Sequence, residues 1–522
     1  MTDRREQELL DRIAKLEKDK AALLATVKLL QQARFGSKSE RRTDPDMDAA
    51  YPSIFNEAET EAKPSVKEPE LETTAVKGYE RKRKSKSASV KNLLESLPED
   101  CIENIDIDLD ADQKVCDICG NKLSPIGREL VNTQIEFVPP KLICRRYFQI
   151  SYECRNCRKN DEPHIVKPAV PKPPIPHSFA SPSAIAHVMM QKYGLAVPLN
   201  RQEREWKQLG LPLSRATLAN WIIISSNEYL KPLWNYMHGL LLKEACLHAD
   251  ETPVQVLNEK GRKNTSKSYM WVFTSGEYEP LHNIRLFQYS PTRKGSNASE
   301  FLKGFTGYLQ TDDYSGYNQV TGVTRCLCWA HARRKYVETE TAKQDEPSVN
   351  LASEGLRYIR ELFKIEKGLH DLTPEERKSQ RLEKEKPVLD AYWKWVESSR
   401  DKVLPKSKIS QALNYSLTNK EQLETYLQDG RCAISNNIAE NSIRPFTVGR
   451  KNWLFSASPK GAEASACVYS IIETCKANNI DPEKYLIYIL TGMPNEERLK
   501  GEAVLEKYMP WNTISSGILQ IT

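Results

Sequence analysis

No run of 18 or more apolar residues occurs in the 522-residue chain, so no membrane-spanning helix is expected. The opening residues, Met1-Thr2-Asp3-Arg4-Arg5-Glu6-Gln7-Glu8, are charged and lack the apolar centre of a secretory signal. A cytoplasmic protein is expected. Without export, the twelve cysteines do not imply disulfides, because the cytosol keeps thiols reduced. The net charge is a modest +6, with 28% charged and 39% hydrophobic residues, the average of a soluble globular chain with solvated stretches. The length suits three or four domains at roughly 100–200 residues each.

What is present is unevenly distributed. Residues 44–76 carry nine acidic and two basic side chains, and residues 77–91 carry seven basic and one acidic. The basic block around Arg81-Lys82-Arg83-Lys84 is either a phosphate-neutralising segment or part of a solvated linker. Upstream, Leu9, Leu16, Leu23 and Leu30 recur every seven residues, with Ile13, Lys20 and Val27 between them. This seam predicts a coiled-coil helix and a homo-oligomer, with Lys20 limiting register. Pro45, Pro52, Pro64 and Pro69 among acidic, Ser and Thr residues predict a disordered linker. Five prolines from Pro168 to Pro176 predict a stiff, extended spacer.

Beyond Ser181 the pattern turns helical to about Leu242. Leu209-Gly210-Leu211-Pro212 reads as a turn and Ser214 as the N-cap of a helix through Trp221, a helix-turn-helix candidate. Arg215, Thr217 and Asn220 are the residues it offers to a DNA groove; the alternative is a plain helical hairpin. From Cys246 short β-prone runs follow: Cys246–Val256, Ser268–Thr274, Asn283–Tyr289, Gly307–Asp312 and Cys326–Trp329. A short helix is expected over Ser299–Phe305, and another helix from Ala330. Residues 349–428 read as long charged helices with Leu356, Ile359, Leu362 and Phe363 on one apolar face. A last helical portion covers 462–490. This order implies a multidomain α/β protein with an RNase-H-like core interrupted by a helical insertion.

Cys116-x-x-Cys119 and Cys154-x-x-Cys157 each supply two thiolates from one tight turn, and together they complete a tetrahedral structural Zn²⁺ site. Lys141, Arg145, Arg146, Arg155, Arg158 and Lys159 make its surroundings basic.

Three acidic residues sit at element ends. Asp250 lies in His248-Ala249-Asp250-Glu251-Thr252, Asp312 in Gln310-Thr311-Asp312-Asp313-Tyr314, and Glu440 one turn into a helix capped by asparagine in Asn436-Asn437-Ile438-Ala439-Glu440. In-line cleavage of a phosphodiester calls for two divalent ions roughly 4 Å apart, and Mg²⁺ (or Mn²⁺) takes carboxylate oxygens and water. The words around these residues carry more weight than the acids themselves. Leu309 to Asn318, Cys328-Trp329-Ala330-His331-Ala332-Arg333-Arg334-Lys335, Asn436 to Glu440 with Arg444-Pro445, and Gly449-Arg450-Lys451-Asn452-Trp453-Leu454-Phe455 resemble the insertion sequence 66 transposases, of the TnpC type. The resemblance also takes in the leucine helix, Arg34-Phe35-Gly36-Ser37-Lys38-Ser39-Glu40, the four cysteines and Met509-Pro510-Trp511-Asn512.

That resemblance implies an Asp-Asp-Glu triad on an RNase-H-like fold, mapped onto Asp250, Asp312 and Glu440. Where the family has a small residue after its second aspartate, this chain has Asp313. Strand neighbours point to opposite faces, so one of Asp312 and Asp313 enters the site; the family register favours Asp312, and Glu251 is excluded on the same grounds. Cys328 and His331 form a Cys-x-x-His step expected to support the catalytic strand. Cys326, Cys328 and His331 as a metal site is the alternative, one that lacks an apparent fourth ligand. Arg444, Arg450 and Lys451 are expected to hold DNA phosphates.

The chain then divides into a coiled-coil helix at 1–43, a charged linker at 44–92, a zinc module at 93–167, and a spacer with a helical DNA-binding region at 168–240. Catalytic core segments at 241–348 and 429–475 flank the helical insertion at 349–428, and 476–522 closes the chain. A DNA transposase acting on transposon ends and target DNA, with accessory proteins of the same element as further partners, is the reading. A non-catalytic DNA-binding regulator derived from one is the rival.

Overall fold

The computed structural model describes residues 140–153, 165–278, 280–341, 346–497 and 501–513. The leucine helix, the charged linker and the cysteines of the zinc module lie outside them. The protein is a mixed α/β chain. Among the described residues, apart from an antiparallel pairing of Tyr152–Glu153 with Ile165–Val166, the strands form one six-stranded sheet.

Five strands make the path of that sheet: β1 (Cys246–Val256), β2 (Lys267–Ser275), β3 (Arg285–Ser290), β4 (Tyr308–Thr311) and β5 (Thr324–Leu327), in the order β3-β2-β1-β4-β5. The first three are antiparallel neighbours; β4 runs parallel to β1, and β5 parallel to β4. The two-residue β6 (Phe455–Ser456) pairs with the far end of β1. β2 reads Tyr269-Met270-Trp271-Val272-Phe273, a β-branched and aromatic run with Trp271, Val272 and Phe273 fully buried. Edge strand β3 does not leave its amides bare: Phe287 donates to Ser470 Oγ at 2.7 Å and Arg285 to Thr474 Oγ1 at 3.0 Å. Both hydroxyls come from a helix laid along that edge, which blocks pairing with another chain.

Among the described residues, four helices precede the sheet: α1 (Pro182–Met189), α2 (Leu199–Gln208), α3 (Arg215–Ser225) and α4 (Lys231–Leu241). Gly210 takes the left-handed φ of +91° that the turn after α2 needs, and Ser214 caps α3 by accepting the Thr217 amide at 3.2 Å. Trp206 and Trp221 meet edge to face at 6.2 Å across the α2–α3 pair. The expected end of α3 at Trp221 is too early. Ile222-Ile223-Ile224 contains no breaker, and the helix passes through a π-turn at 226–230 directly into α4. Pro232, in the first turn of α4, lacks the amide that a regular ladder would use, and the wide turn accommodates it.

Helix α5 (Gly295–Phe301) starts four residues before the expected Ser299. It lies so close to the 315–319 turn that a Cβ on Gly295 would stand 2.1 Å from Gly316 O. β5 ends at Leu327, and α6 (Trp329–Thr341) begins where strand was expected, with the Trp329 amide bonded to Ile434 O at 3.0 Å.

The insertion supplies α7 (Glu346–Leu369), α8 (Pro374–Gln380), α9 (Lys386–Arg400), α10 (Lys408–Thr418) and α11 (Lys420–Glu424). They bury Leu356, Ile359 and Leu362 with Trp329, Tyr336, Tyr392 and Trp393 in a core of their own. The chain then returns to the sheet with α12 (Asn437–Trp453), the edge-covering α13 (Pro459–Ala477) and α14 (Pro482–Gly492). Expected as one helical portion, 462–490 is two helices separated at Asn479, whose φ is +56°. No helix among the described residues is long and apolar enough to cross a membrane.

Candidate active site

Parallel pairing of β1 with β4 sets Cys246 against Tyr308, Leu247 against Leu309 and His248 against Gln310. The same offset carried two residues further puts Asp250 level with Asp312, just past the end of β4. Both residues therefore stand level on adjacent strands, at the sheet edge where β4 ends. Glu440 approaches from the first turn of α12, which packs against β1 and β2.

The three acids sense one another. Burial raises the Asp250 carboxyl well above the usual aspartate range, and the charges of Glu251, Glu440 and Asp312 push in the same direction. Only the 2.8 Å bond from the Glu251 amide works against them. Asp312 is held by its backbone: its carboxylate accepts the Tyr314 amide at 3.0 Å, while its carbonyl accepts Arg325 Nη2 at 3.0 Å and the Thr311 hydroxyl at 2.7 Å. Glu440 has His331 Nε2 at 3.8 Å and Arg334 Nη2 at 3.9 Å, separations of loose ion pairs.

Asp313 and Glu251 are engaged elsewhere. Asp313 accepts Asn419 Nδ2 of the insertion at 3.1 Å. Glu251, on the opposite face of β1 from Asp250, has a side chain only 1% exposed; it accepts Arg293 at 2.6 Å and the Tyr317 hydroxyl at 2.6 Å. The Arg293 guanidinium in turn lies 3.9 Å over the Tyr314 ring. Sequence alone offered no sign of this pair, with its buried glutamate and half-exposed arginine, because both residues sit in unremarkable polar surroundings.

Asn436 is the other residue that sequence reasoning undervalued. It stands at the N-cap of α12, yet its side chain makes no capping bond. Instead its Nδ2 donates to Ala249 O at 2.9 Å, its Oδ1 faces His248 Nδ1 at 3.0 Å, and its amide donates to Cys328 Sγ at 3.1 Å. The Asn436 side chain thus ties the helix bearing Glu440 to the strand bearing Asp250, and its backbone N–H ties it to Cys328 at the start of α6. Burial lowers the His248 pKa to about 3, so the imidazole is neutral and its Nδ1 takes the tautomer that donates to Asn436. A doubled asparagine before a helix signals a cap; a tie to a distant strand leaves the same trace.

Cys328, His331 and Glu440 come together, their ligand-type atoms all within 4.8 Å of one another. Cys326 does not join them; it packs with Cys246 and Cys432 in the core of the insertion. Arg215 and Asn220 are exposed on α3, and Thr217 is half-buried with its hydroxyl 3.0 Å from Ser214 Oγ. On α12, Lys451 is exposed and Arg444 half-buried. Arg450 turns inward, its guanidinium bonded to Thr252 Oγ1 at 3.0 Å and to the carbonyl of Pro253, so it fastens α12 to β1.

Known proteins of similar sequence place the chain in a class of transposases of mobile elements, a class that implies DNA processing and DNA binding. It belongs to the Transposase IS66 family, whose profile matches residues 177–464. Further matches are the zinc-finger binding domain of transposase IS66 at 113–158, the IS66 C-terminal element at 470–511, and the Transposase C of IS166 homeodomain at 22–102. The zinc-finger match supports a structural Zn²⁺; Cys116, Cys119, Cys154 and Cys157 fall in that segment, outside the described residues. Two uncharacterized Sinorhizobium fredii proteins are similar at 28% identity: y4qI over 94% of this chain and 89% of its own length, and y4hP over 76% and 73%. A third, y4jD, is 24% identical over 83% of each. No solved structure matches.

Proposed function

We propose that this transposase has an RNase-H-like core and is itself the nuclease and strand-transferase of its element, with Asp250, Asp312 and Glu440 as ligands for two Mg²⁺ or Mn²⁺ ions. The observation that carries the reading is the register of β1 and β4, which sets two aspartates side by side where Glu440 adds its charge. Such a group is poorly balanced alone and suits hard divalent cations with oxygen ligands. The strand order, with three antiparallel strands and two parallel additions, and the glutamate-bearing helix packed on the first strand support the core assignment. When bound, the ions would activate the attacking oxygen and stabilise the leaving one.

The chain's own residues set the geometry. Asn436 and Arg450 fix α12 against β1, and Arg325 with Thr311 fixes the carbonyl of Asp312. Arg444, Lys451 and the α3 residues Arg215, Thr217 and Asn220 offer contacts to DNA, and residues 1–43 an oligomerising helix. In end cleavage a water oxygen bonds to phosphorus and the 3′ oxygen departs, taking up a proton. In transfer the freed 3′-hydroxyl attacks a target phosphate and another 3′ oxygen leaves.

Glu440→Gln tests this, because it keeps size and hydrogen bonding but removes the charge. End cleavage and strand transfer, followed by gel with Mg²⁺, should fall together by about a thousandfold or more, while end binding at matched salt persists. Undiminished cleavage by Glu440→Gln would overturn the assignment. A parent protein that binds ends but never cuts, with any divalent metal or neighbouring gene product, would favour the regulator.

A further inference from the structure

Cys328 and His331 lie one helical turn apart at the start of α6, and Glu440 faces them from the first turn of α12. We infer that these three residues form a second metal site, for a thiophilic divalent cation of the Zn²⁺ or Co²⁺ class, distinct in chemistry from the carboxylate centre and sharing Glu440 with it. The donor set is thiolate, imidazole and carboxylate. Soft sulfur and borderline nitrogen select Zn²⁺ or Co²⁺ over Mg²⁺. Three protein ligands leave a fourth position open to water.

The distances fit. Bonds of about 2.0–2.3 Å to a tetrahedral ion place ligand atoms roughly 3.3–3.8 Å apart. The present atoms lie within 4.8 Å of one another, with His331 Nε2 3.8 Å from Glu440 Oε1, so small side-chain rotations close the set. The sulfur is held in place, fully buried with the Asn436 amide on it at 3.1 Å. His331 keeps a second ring nitrogen, Nδ1, buried without a hydrogen-bond partner, so its imidazole is not committed to one orientation by another group. Where Glu440 is drawn to this ion, it is drawn from Mg²⁺; excess Zn²⁺ would then inhibit cleavage. That consequence rests on the proposed role of Glu440, whereas the site itself does not.

The experiment is therefore a binding one. Full-length protein, purified with its structural zinc retained, is titrated with Co²⁺ and followed by absorbance. One additional equivalent should give a thiolate-to-cobalt charge-transfer band in the near ultraviolet. Cys328→Ser should abolish that band, and His331→Gln should weaken Co²⁺ affinity by about tenfold or more. Asp250→Asn should keep the band, which separates this site from the carboxylate centre. Circular dichroism checks that each variant is folded; His331→Gln serves if Cys328→Ser is not. Absence of a thiolate band beyond the structural equivalent, its persistence in folded Cys328→Ser, or unchanged affinity in His331→Gln would overturn the site. Loss of cleavage in Asp250→Asn with the band intact would leave it standing, whatever becomes of the Mg²⁺ reading.

Discussion

Two buried groups of acidic residues among the described residues are treated in opposite ways. Within the helical insertion, Glu366 receives a two-pronged pairing from the fully buried Arg381, at 2.5 and 3.1 Å. Arg381 also donates to the carbonyls of Tyr426, Asp429 and Cys432. The second acid there, Glu385, accepts the Tyr426 hydroxyl at 2.6 Å, and burial followed by the Glu366 charge pushes its pKa up to about 8. The knot thus sets a fully buried guanidinium against two buried acids, one of which is pushed toward its neutral form. Arg377 beside it donates to Leu369 O, His370 O, Leu372 O and Gly430 O, and at Gly430 a Cβ would lie 1.8 Å from Pro374 O.

At the sheet edge the acids crowd one another: burial and the charges of Glu251, Glu440 and Asp312 all raise the Asp250 carboxyl. Among the described residues Asp250 and Asp312 form no ion pair, and Glu440 has His331 and Arg334 at almost 4 Å. Breaking a balanced buried cluster is costly to a fold, whereas one whose acids crowd each other suits a cation from outside. That contrast can be broken at either end.

The largest effect is expected at the sheet edge, in activity. Asp312→Asn should lower end cleavage by about a thousandfold or more, in line with the several kcal/mol of transition-state stabilisation that a bound ion supplies. Asp313→Asn, which keeps an oxygen able to accept from Asn419 of the insertion, should cost less than about tenfold. Equal losses in a gel assay would mean that the adjacent aspartate shares the site.

Next comes the knot. Arg381→Met should destabilise the folded protein by about 3–5 kcal/mol, because Glu366 and several carbonyls would be left buried without their donor. Thermal unfolding measures this. A change under about 1 kcal/mol would show that water or a rearranged partner replaces the guanidinium.

The two clusters also differed in how far they could be read. Strand β1 spans Cys246–Val256, the segment its β-prone run predicts, because a central strand's hydrophobic side chains fix its ends. Asp250, Asp312 and Glu440 stood out through the words around them, and the pairing offset that sets Asp250 beside Asp312 emerged only with the sheet. Arg381, Glu366 and Glu385 sat invisibly among charged helices whose acids and bases look solvated. Which charge turns inward depends on the neighbouring helix, and helical periodicity shows only the broad apolar face. The Asn436 tie was hidden for the same reason: local chemistry suggested a cap, and long-range contact decided otherwise. The continuous α3–α4 passage shows a milder case, since a π-turn has no residue signature beyond the proline it tolerates.

The smallest effect is the most discriminating, because its sign is opposite to that of most substitutions. The pKa of Asp250 is raised by burial and then by Glu251, Glu440 and Asp312. In the unfolded chain an aspartate ionises near about pH 3.9. Between that pH and the higher folded value, the folded protein holds a proton that the unfolded chain has released. Stability therefore falls as pH rises through this window, and the deficit persists above it. Asp250→Asn removes the deficit. With the structural zinc retained but no free divalent cation at pH 7, it should unfold above the parent by roughly 1–2 °C for each kcal/mol recovered. The difference should vanish below about pH 4, where the aspartate is neutral in both states. Mg²⁺ should raise the parent's midpoint and leave that of Asp250→Asn nearly unchanged, since the cation compensates the charge that the variant lacks. If the parent is the more stable at pH 7 without Mg²⁺, the acids at the sheet edge are as well balanced as those in the knot, and the distinction between the two clusters falls.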